Sequence, residues 1–211
     1  MMQVKAARGY DSSRRREQAE RNRAAALEAA WRLFKERGYG ATTVSAVAAA
    51  AGVSAETVYK AFGGKAGLVR ALWEQGLAGQ GLVHAQERSD VMREHEVDPH
   101  AIVRAWGAFA AEVMPATAPV LLLVRAAAAT APEMARLRVE LDDSRLARME
   151  GNARFLADHH HLRAGLTVER ARDILFTYSA PELYELLVLR QGWSPESYGV
   201  FIGESLETAL L

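Results

Sequence analysis

The sequence contains no cysteine among its 211 residues. Disulfide bonds, thiolate zinc sites and cysteine nucleophiles are therefore excluded. Long apolar segments are missing too: the longest strongly apolar run, residues 120–124, stops at Arg125, and no apolar segment follows the basic residues 14–16. We expect neither a signal peptide nor a membrane span, and hence a cytoplasmic protein without a membrane partner.

Sustained alternation of apolar and polar residues is also missing, so strands are not expected. The chain is rich in Ala, Leu, Arg and Glu, which favour helices. A capping residue precedes a proline at Asp98-Pro99 and at Ser194-Pro195, and residues 130–133 and 179–182 fit the capping-box pattern. These signals predict an all-α protein of about nine helices.

The formal net charge of zero hides an uneven distribution. Residues 1–70 contain 13 Lys+Arg and 6 Asp+Glu, a balance of +7, whereas residues 71–211 contain 13 and 20, a balance of −7. A basic N-terminal third on a neutral protein indicates a local face that meets a polyanion, the alternative being a solvated basic tail. Residues 1 to about 20 show no apolar periodicity, so we predict a mobile arm whose arginines can enter a DNA minor groove.

A helix-turn-helix is predicted around the segment AGVSAETVYKAFGGK, residues 51–65. Thr43 can cap a short helix that ends at Gly52, and Ser54 can cap a second helix that runs to about Phe62. A three-residue turn containing glycine then joins the two helices. The second helix presents a carboxylate, a methyl group and phosphate-binding groups, from which we predict a major-groove reading surface. Its residues are Ala55, Glu56, Thr57, Tyr59 and Lys60.

The end of the same segment predicts a phosphate contact. Gly63 and Gly64 can end the second helix, and Lys65 stands at the start of the next one. Free amide donors and the positive end of a helix dipole favour a phosphate there. The alternative is a generic helical hairpin with solvated lysine and tyrosine side chains.

Residues 27–72, LEAAWRLFKERGYGATTVSAVAAAAGVSAETVYKAFGGKAGLVRAL, resemble the N-terminal domain of the TetR family of transcriptional regulators. The resemblance implies an all-helical homodimer, with a three-helix DNA-binding domain and a divergent C-terminal helical bundle for ligand binding and dimerisation. We expect an arm over 1–20, the helix-turn-helix domain over 21–67 and the effector-binding and dimerisation domain over 68–211.

The resemblance also implies roles for single residues. Thr43, Tyr59 and Lys65 match the family's phosphate-contacting positions, and residues 55–60 match its base-reading surface. The sequence departs from the family pattern at Glu56, Ala61 and Ala66. The candidate DNA contacts are Thr43, Ser54, Ala55, Glu56, Thr57, Tyr59, Lys60 and Lys65.

The C-terminal two-thirds carries many bulky apolar residues, most of which we assign to the core. The resemblance implies an effector pocket among these helices, and such pockets are mostly apolar with a few polar groups. Arg125 interrupts an apolar face and is a candidate polar anchor, the alternative being a solvent-facing arginine. The candidate pocket residues are Trp106, Phe109, Arg125, Phe155 and Tyr178.

The last two predicted helices carry apolar faces that fit a twofold four-helix bundle between subunits. Gly199 and Gly203 would allow close approach there, whereas packing on the chain's own core is the alternative. The candidate dimerisation residues are Leu183, Leu186, Leu187, Phe201, Ile202 and Leu206.

Residues 159–161 are three consecutive histidines. Adjacent residues on a helix point in different directions, so we expect a solvated loop and no metal site. The chain shows no convincing arrangement of nucleophile, base and acid. We therefore predict neither an enzyme nor a cofactor.

These observations predict a ligand-responsive transcriptional repressor. It would bind a pseudopalindromic DNA operator as a homodimer and be released by a small-molecule effector, with the helix from Lys65 to about Gln86 as the lever. One alternative is an effector-independent DNA-binding regulator or activator. Another is a helical small-molecule-binding protein or enzyme whose helix-turn-helix is incidental.

Overall fold

The computed structural model describes residues 8–79 and 83–211, with side chains described from residue 13 onward. These residues form helices without a strand, which confirms the all-α prediction. The α9 helix continues as a π-helical segment, Glu185–Arg190. The helices are α1 (Arg8–Ala41), α2 (Val44–Ala51), α3 (Ala55–Phe62), α4 (Lys65–Ala78), α5 (Ala85–His95), α6 (Pro99–Ala128), α7 (Pro132–Asp158), α8 (Val168–Tyr178), α9 (Pro181–Tyr184) and α10 (Pro195–Leu210).

The chain divides into two compact units, one ending at Leu72 and the other beginning at Trp73. The boundary falls inside α4. The predicted lever helix ends at Ala78 rather than near Gln86, and Gly79 follows it with a left-handed φ of 69°.

In the first unit, α1 packs against the two short helices that follow it. Its buried face includes Leu27, Ala30 and Phe34, and α2 and α3 contribute Val47 and Val58 to the same core. The helical geometry of α1 breaks at Gly38, where φ is 75° and ψ is 170°. A left-handed φ is strained for residues other than glycine, so glycine at this position allows the backbone to change direction.

The predicted mobile arm overlaps the start of α1. Residues 1–7 lie outside the described residues, and residues 8–20 form the first turns of α1. The side chains of residues 13–20 are exposed, which explains why this segment has no apolar periodicity. Residues 8–20 are helical because Arg, Glu, Gln and Ala favour helix even without a buried face, and the mobility of the arm stays a prediction.

In the second unit, α6 and α10 run antiparallel. The contacts proceed from His100, whose Nδ1 lies 2.6 Å from Glu207 Oε1, to Ala111, which lies beside Gly199. A Cβ atom added at Gly107 would come within 2.3 Å of the Gly199 carbonyl oxygen. The two backbones therefore approach too closely for a side chain at this point.

The core of the second unit centres on α6. By length and composition α6 is apolar enough to cross a membrane, but it packs against α7 and α10, and several of its buried residues belong to the core of this unit. That core also draws side chains from α7, α8 and α10. Its members include Ile102, Val103, Leu156, Leu175, Tyr198 and Leu210.

The predicted helix starts are correct where a cap directly precedes proline. Asp98 accepts a hydrogen bond from the His100 amide at 3.0 Å, and Ser194 accepts one from the Ser197 amide at 3.1 Å. The two capping boxes were wrong, because the N-cap residues of α7 and α9 are Ala131 and Ala180, which have no capping side chain. In both helices proline occupies the first position and fixes where the helix begins.

Replacing Gly107 with alanine should lower the free energy of unfolding by about 1–3 kcal/mol, because the added methyl group must push α10 away from α6. Urea denaturation followed by circular dichroism measures the change. The matched control is Gly151→Ala in α7, where an added Cβ meets no atom within 4 Å. This control should raise stability by about 0.5–1 kcal/mol, because alanine favours the helix interior. Equal losses in both variants would contradict the close-approach account.

Candidate DNA interface and ligand cavity

Two side-chain caps and two glycines position α2 and α3. Thr43 Oγ1 accepts a hydrogen bond from the Ala46 amide at 3.1 Å, and Ser54 Oγ accepts one from the Thr57 amide at 3.0 Å. Gly52 adopts a left-handed φ of 68° at the end of α2. The turn between the helices therefore comprises residues 52–54, as the sequence predicts, and the helix-turn-helix geometry is confirmed.

The surface of α3 separates into exposed and partly covered residues. Glu56, Tyr59 and Lys60 are exposed, Tyr59 to 56 %. Ala55 and Thr57 are half-buried, and the Thr57 hydroxyl lies 2.8 Å from Ser54 Oγ. The most exposed residues of the predicted base-reading surface thus carry a carboxylate, a phenol and an ammonium group.

Lys65 has an intramolecular contact that sequence reasoning missed. Its Nζ donates a hydrogen bond to the Tyr39 carbonyl oxygen at 2.9 Å and lies 4.2 Å from the centroid of the Tyr39 ring. This contact fixes the first residue of α4 to the end of α1. An ammonium group has three N–H donors, so the contact leaves further donors for a phosphate.

Arg23 makes a second contact that the sequence did not predict. Its Nη1 donates to the Ala61 carbonyl oxygen at 3.3 Å, and its guanidinium carbon lies 4.6 Å from the centroid of the Phe62 ring. The carbonyl oxygens at the end of a helix favour a positive charge. Arg23 therefore supports the C-terminal turn of α3 from α1.

The second unit contains a cavity of about 130 Å³ that opens toward solvent. Its lining is typical of small-molecule sites, which are mostly apolar with a few polar groups. Helices α4, α5, α6, α7, α8 and α10 contribute lining residues. The larger apolar ones include Trp73, Trp106, Phe109, Val113, Leu175 and Ile202.

Among the described residues, the charged residues that line this cavity are Arg145 and Arg148 of α7. Arg148 forms a two-pronged ion pair with Asp90 at 2.8 and 2.9 Å, and Arg93 Nη2 lies 3.2 Å from the same carboxylate. Asn152, another lining residue, accepts a hydrogen bond from Arg93 at 2.7 Å. The cavity wall thus contains arginine side chains whose carboxylate partners are not lining residues.

Arg145 is held from several sides. It donates to the Phe176 carbonyl oxygen at 3.2 Å and to Ser179 Oγ at 3.1 Å, and its Nη2 lies 3.2 Å from Asp142. The guanidinium carbon stacks 3.9 Å from the centroid of the Phe176 ring. Burial lowers the pKa of Arg145, and the Asp142 carboxylate opposes that shift. Arginine nevertheless remains charged at neutral pH.

Three buried donor groups on lining residues have no hydrogen-bond partner within residues 8–79 and 83–211: Trp106 Nε1, Arg145 Nε and the Tyr198 hydroxyl. Trp106 is 7 % exposed and Tyr198 is fully buried. Burial raises the pKa of Tyr198, so its phenol stays protonated and able to donate. Buried polar groups are normally paired, and unpaired ones are costly.

The structure places three of the five predicted pocket residues, Trp106, Phe109 and Tyr178, on the cavity wall. The other two assignments need correction. In the described chain Arg125 does not line the cavity but pairs with Glu182 and lies 3.7 Å from Asp142. Phe155 packs beside the core, beneath the Arg93 guanidinium at 5.2 Å.

Sequence reasoning missed the polar side of the cavity. Ser144, Arg145, Arg148 and Asn152 all line it from α7. Their spacing of one, four and eight residues places them on one helix face, together with Met149. This mixed polar stripe was the available signal, but a stripe of arginines more often marks a solvated face.

The predicted dimerisation residues are also partly wrong. Ile202 and Leu206 are buried in the core of their own chain and line the cavity, so they are not available to a second subunit. Leu183, Leu187 and Phe201 are half-buried against that core. Leu186 is the one exposed member of the predicted set, and nearby apolar residues that the prediction omitted are also exposed. These are Leu189, Trp193 and Val200.

The three histidines lie at the end of α7 and just after it. His159 is the C-cap residue of α7, and His160 follows with a left-handed φ of 57°. The His159 and His161 rings stack 5.8 Å apart. Within residues 8–79 and 83–211, no group of three or more His, Cys, Asp or Glu side chains is arranged to hold a metal ion.

Residues 26–72 match the model of the family described as "Bacterial regulatory proteins, tetR family". This segment covers the helix-turn-helix and most of the first unit. A curated relative, the uncharacterized HTH-type transcriptional regulator YvkB of Bacillus subtilis, is 37 % identical over 68 residues. That match covers 32 % of this chain and 36 % of YvkB, so the aligned part spans little more than a third of the relative.

Solved structures share the fold over nearly the whole chain. NalD, titled the secondary repressor of the MexAB-OprM multidrug efflux pump in Pseudomonas aeruginosa, has a TM-score of 0.71 at 19 % identity, over 92 % of this chain and 98 % of NalD. FadR of Bacillus subtilis, solved with stearoyl-CoA, has a TM-score of 0.69 at 19 % identity, over 89 % of this chain and 99 % of FadR. A TetR-family transcriptional regulator of Syntrophomonas wolfei, titled putative, has a TM-score of 0.71 at 17 % identity. The match covers 90 % of this chain and 94 % of that regulator.

The helix-turn-helix carries the family match, and the remaining helices share the architecture of regulators of this kind. Residues 26–72 therefore form a domain similar to the bacterial regulatory proteins of the tetR family, and the chain as a whole shares the fold of the solved structures.

Proposed function

We propose that this protein is a cytoplasmic repressor that binds a pseudopalindromic DNA operator as a homodimer and leaves it when a small-molecule effector occupies the cavity. The observation that carries the proposal is a helix-turn-helix with exposed Glu56, Tyr59 and Lys60 in the same chain as an apolar cavity with a polar wall. NalD, titled a repressor, and FadR, solved with stearoyl-CoA, support the same assignment by their shared fold.

In this proposal residues 21–67 bind DNA and residues 68–211 bind the effector and the second subunit. On α3, Lys60 contacts phosphate and Glu56 accepts a hydrogen bond from cytosine in the major groove. Tyr59 also contacts phosphate, because its exposed phenol can donate to a phosphate oxygen. Thr43 can do the same, since its hydroxyl hydrogen stays available while its oxygen caps α2.

Three further predicted contacts have a narrower role. The Ser54 hydroxyl is occupied by capping α3 and by the neighbouring Thr57 hydroxyl, so these two side chains mainly hold the reading helix in place. Lys65 anchors the start of α4 on Tyr39 and offers its remaining donors to the DNA backbone.

Effector response requires that the effector bind one arrangement of the protein more tightly than the other. Helix α4 carries Lys65 in the first unit and the cavity residues Trp73 and Leu77 in the second. A shift of α4 on effector binding would therefore reach the DNA-binding unit. A coupling of about 1–3 kcal/mol changes DNA affinity by roughly 5- to 150-fold. The cavity also favours this mechanism over an effector-independent regulator with a filled core.

For the second subunit, we propose an interface on the exposed apolar residues near the start of α10. Leu186 and Leu189 lie on the π-helical segment, and Trp193 packs edge-on against Phe201 at 5.8 Å. Val200 is exposed next to Phe201. Clustered apolar residues of this kind mark an interaction surface more often than isolated ones do.

Lys60→Ala should weaken binding to any duplex and make the dependence of log affinity on log salt shallower by about one unit, because one phosphate contact is lost. Fluorescence anisotropy with a labelled duplex of arbitrary sequence, over a series of salt concentrations, measures both quantities. Lys35→Ala in α1 removes the same charge outside α3 and should leave the slope unchanged. If both variants behaved alike, α3 would not be the DNA-contacting helix.

Leu186→Asp should convert the dimer to monomers at micromolar concentration, because a carboxylate would be buried in the interface without a partner. Analytical ultracentrifugation distinguishes the two species. Val97→Asp places the same group at an apolar position that is 84 % exposed and lies outside the proposed interface. This control should remain dimeric. A Leu186→Asp protein that sediments as a dimer would exclude the proposed interface.

A further inference from the structure

We propose that the cavity takes an amphipathic acid, with its anionic head group at Arg145 and Arg148 and its apolar body along the α6 and α10 walls. This inference rests on the proposal that the cavity receives the effector, and it adds the chemical class of that effector.

The charged side chains on the wall of the cavity are positive. Arg145 and Arg148 line the cavity, and no carboxylate does so among the described residues. The carboxylates that compensate them are shared: Asp90 contacts both Arg93 and Arg148, and Asp142 contacts Arg145. Asp142 also lies 3.7 Å from each of two other arginines, Arg125 and Arg138.

In the ion pairs found within the described residues, both clusters have more arginines than carboxylates. The Asp90 cluster has two arginines for one carboxylate. In the Asp142 cluster, three arginines share the two carboxylates Asp142 and Glu182. An anion in the cavity would supply charge that each cluster lacks, and arginine forms strong, geometrically specific hydrogen bonds with carboxylates and phosphates.

Unpaired hydrogen-bond donors on the lining residues also favour a ligand that accepts hydrogen bonds. Trp106 Nε1, Arg145 Nε and the Tyr198 hydroxyl are buried donors on lining residues, and they find no acceptor within the described part of the chain. They come from three helices, α6, α7 and α10. A carboxylate or phosphate head offers several acceptor lone pairs and no competing donor, whereas an alcohol offers one donor as well and an ammonium group offers donors alone.

The remaining wall fixes the rest of the ligand. Phe109, Val113, Leu121, Leu175, Ile202 and Leu206 present apolar side chains to the cavity. An apolar body gains free energy by leaving water for such a wall. A small polar anion would forgo that gain, so the two parts of the wall together select an acid with an apolar tail.

The test compares three ligands with the same tail: decanoate, decanol and decylamine. Isothermal titration calorimetry of the full chain without DNA should give decanoate an affinity at least about tenfold above that of decanol, with decylamine weakest. Arg148→Gln should reduce the decanoate affinity by about 10- to 100-fold and leave decanol within about twofold. Arg148→Lys should restore part of the decanoate affinity, since it keeps the charge.

Asp90→Asn should change the affinity for decanoate in the opposite direction. Removing the carboxylate that competes for Arg148 should raise the affinity for decanoate and leave that for decanol unchanged. The control is Arg154→Gln, because Arg154 is an exposed α7 arginine paired with Glu150 and outside the cavity wall. This control should preserve all three affinities.

Three results would overturn the inference: decanol binding as tightly as decanoate, Arg148→Gln weakening both ligands equally, or no binding of decanoate. The measurement is separable from the proposed function because it contains no DNA. Selective decanoate binding that leaves DNA affinity unchanged would support the ligand class and contradict effector release. DNA binding without a preference for decanoate would support the DNA-binding function and contradict the ligand class.

Discussion

The close antiparallel contact of α6 and α10 is the constraint on which the second unit depends. Because Gly107 and Gly199 have no side chains, the two backbones come together, and the residues beside them face the core and the cavity. Trp106 and Tyr198 are those neighbours. Each brings a large ring into the core and a polar group that is unpaired within the described chain. The packing of the unit and the chemistry of its cavity therefore have the same origin.

The cavity wall maintains charge at an energetic cost. Guanidinium groups are expensive to bury unless they are paired and hydrogen-bonded. Arg145 meets this requirement through Asp142, Ser179 and the Phe176 carbonyl oxygen, and Arg148 meets it through Asp90. These partners hold the arginines in fixed positions. Under the proposed ligand binding, this preorganisation reduces the conformational entropy that is lost.

How much the sequence predicts depends on the distance along the chain. The helix-turn-helix is local: Thr43, Gly52 and Ser54 act on residues within a few positions, so caps and glycines were sufficient to place it. Six helices form the cavity, and Arg145 and Arg148 line it only because of the way α7 packs. Ile202 and Leu206 fit an interface or a core equally well by their spacing. Whether they lie in an interface or in the core depends on the helix that α10 packs against, and that helix is α6 of the same chain.

The central claim is that the chain recognises a specific DNA sequence as a symmetric dimer. Selection of binding sites from a random pool of duplexes, at physiological salt where non-specific phosphate binding is weak, tests it most directly. The account predicts recovery of one inverted repeat, with half-sites separated by about one helical turn or slightly more. Recovery of no sequence above background, or of a single unrepeated half-site, would contradict it.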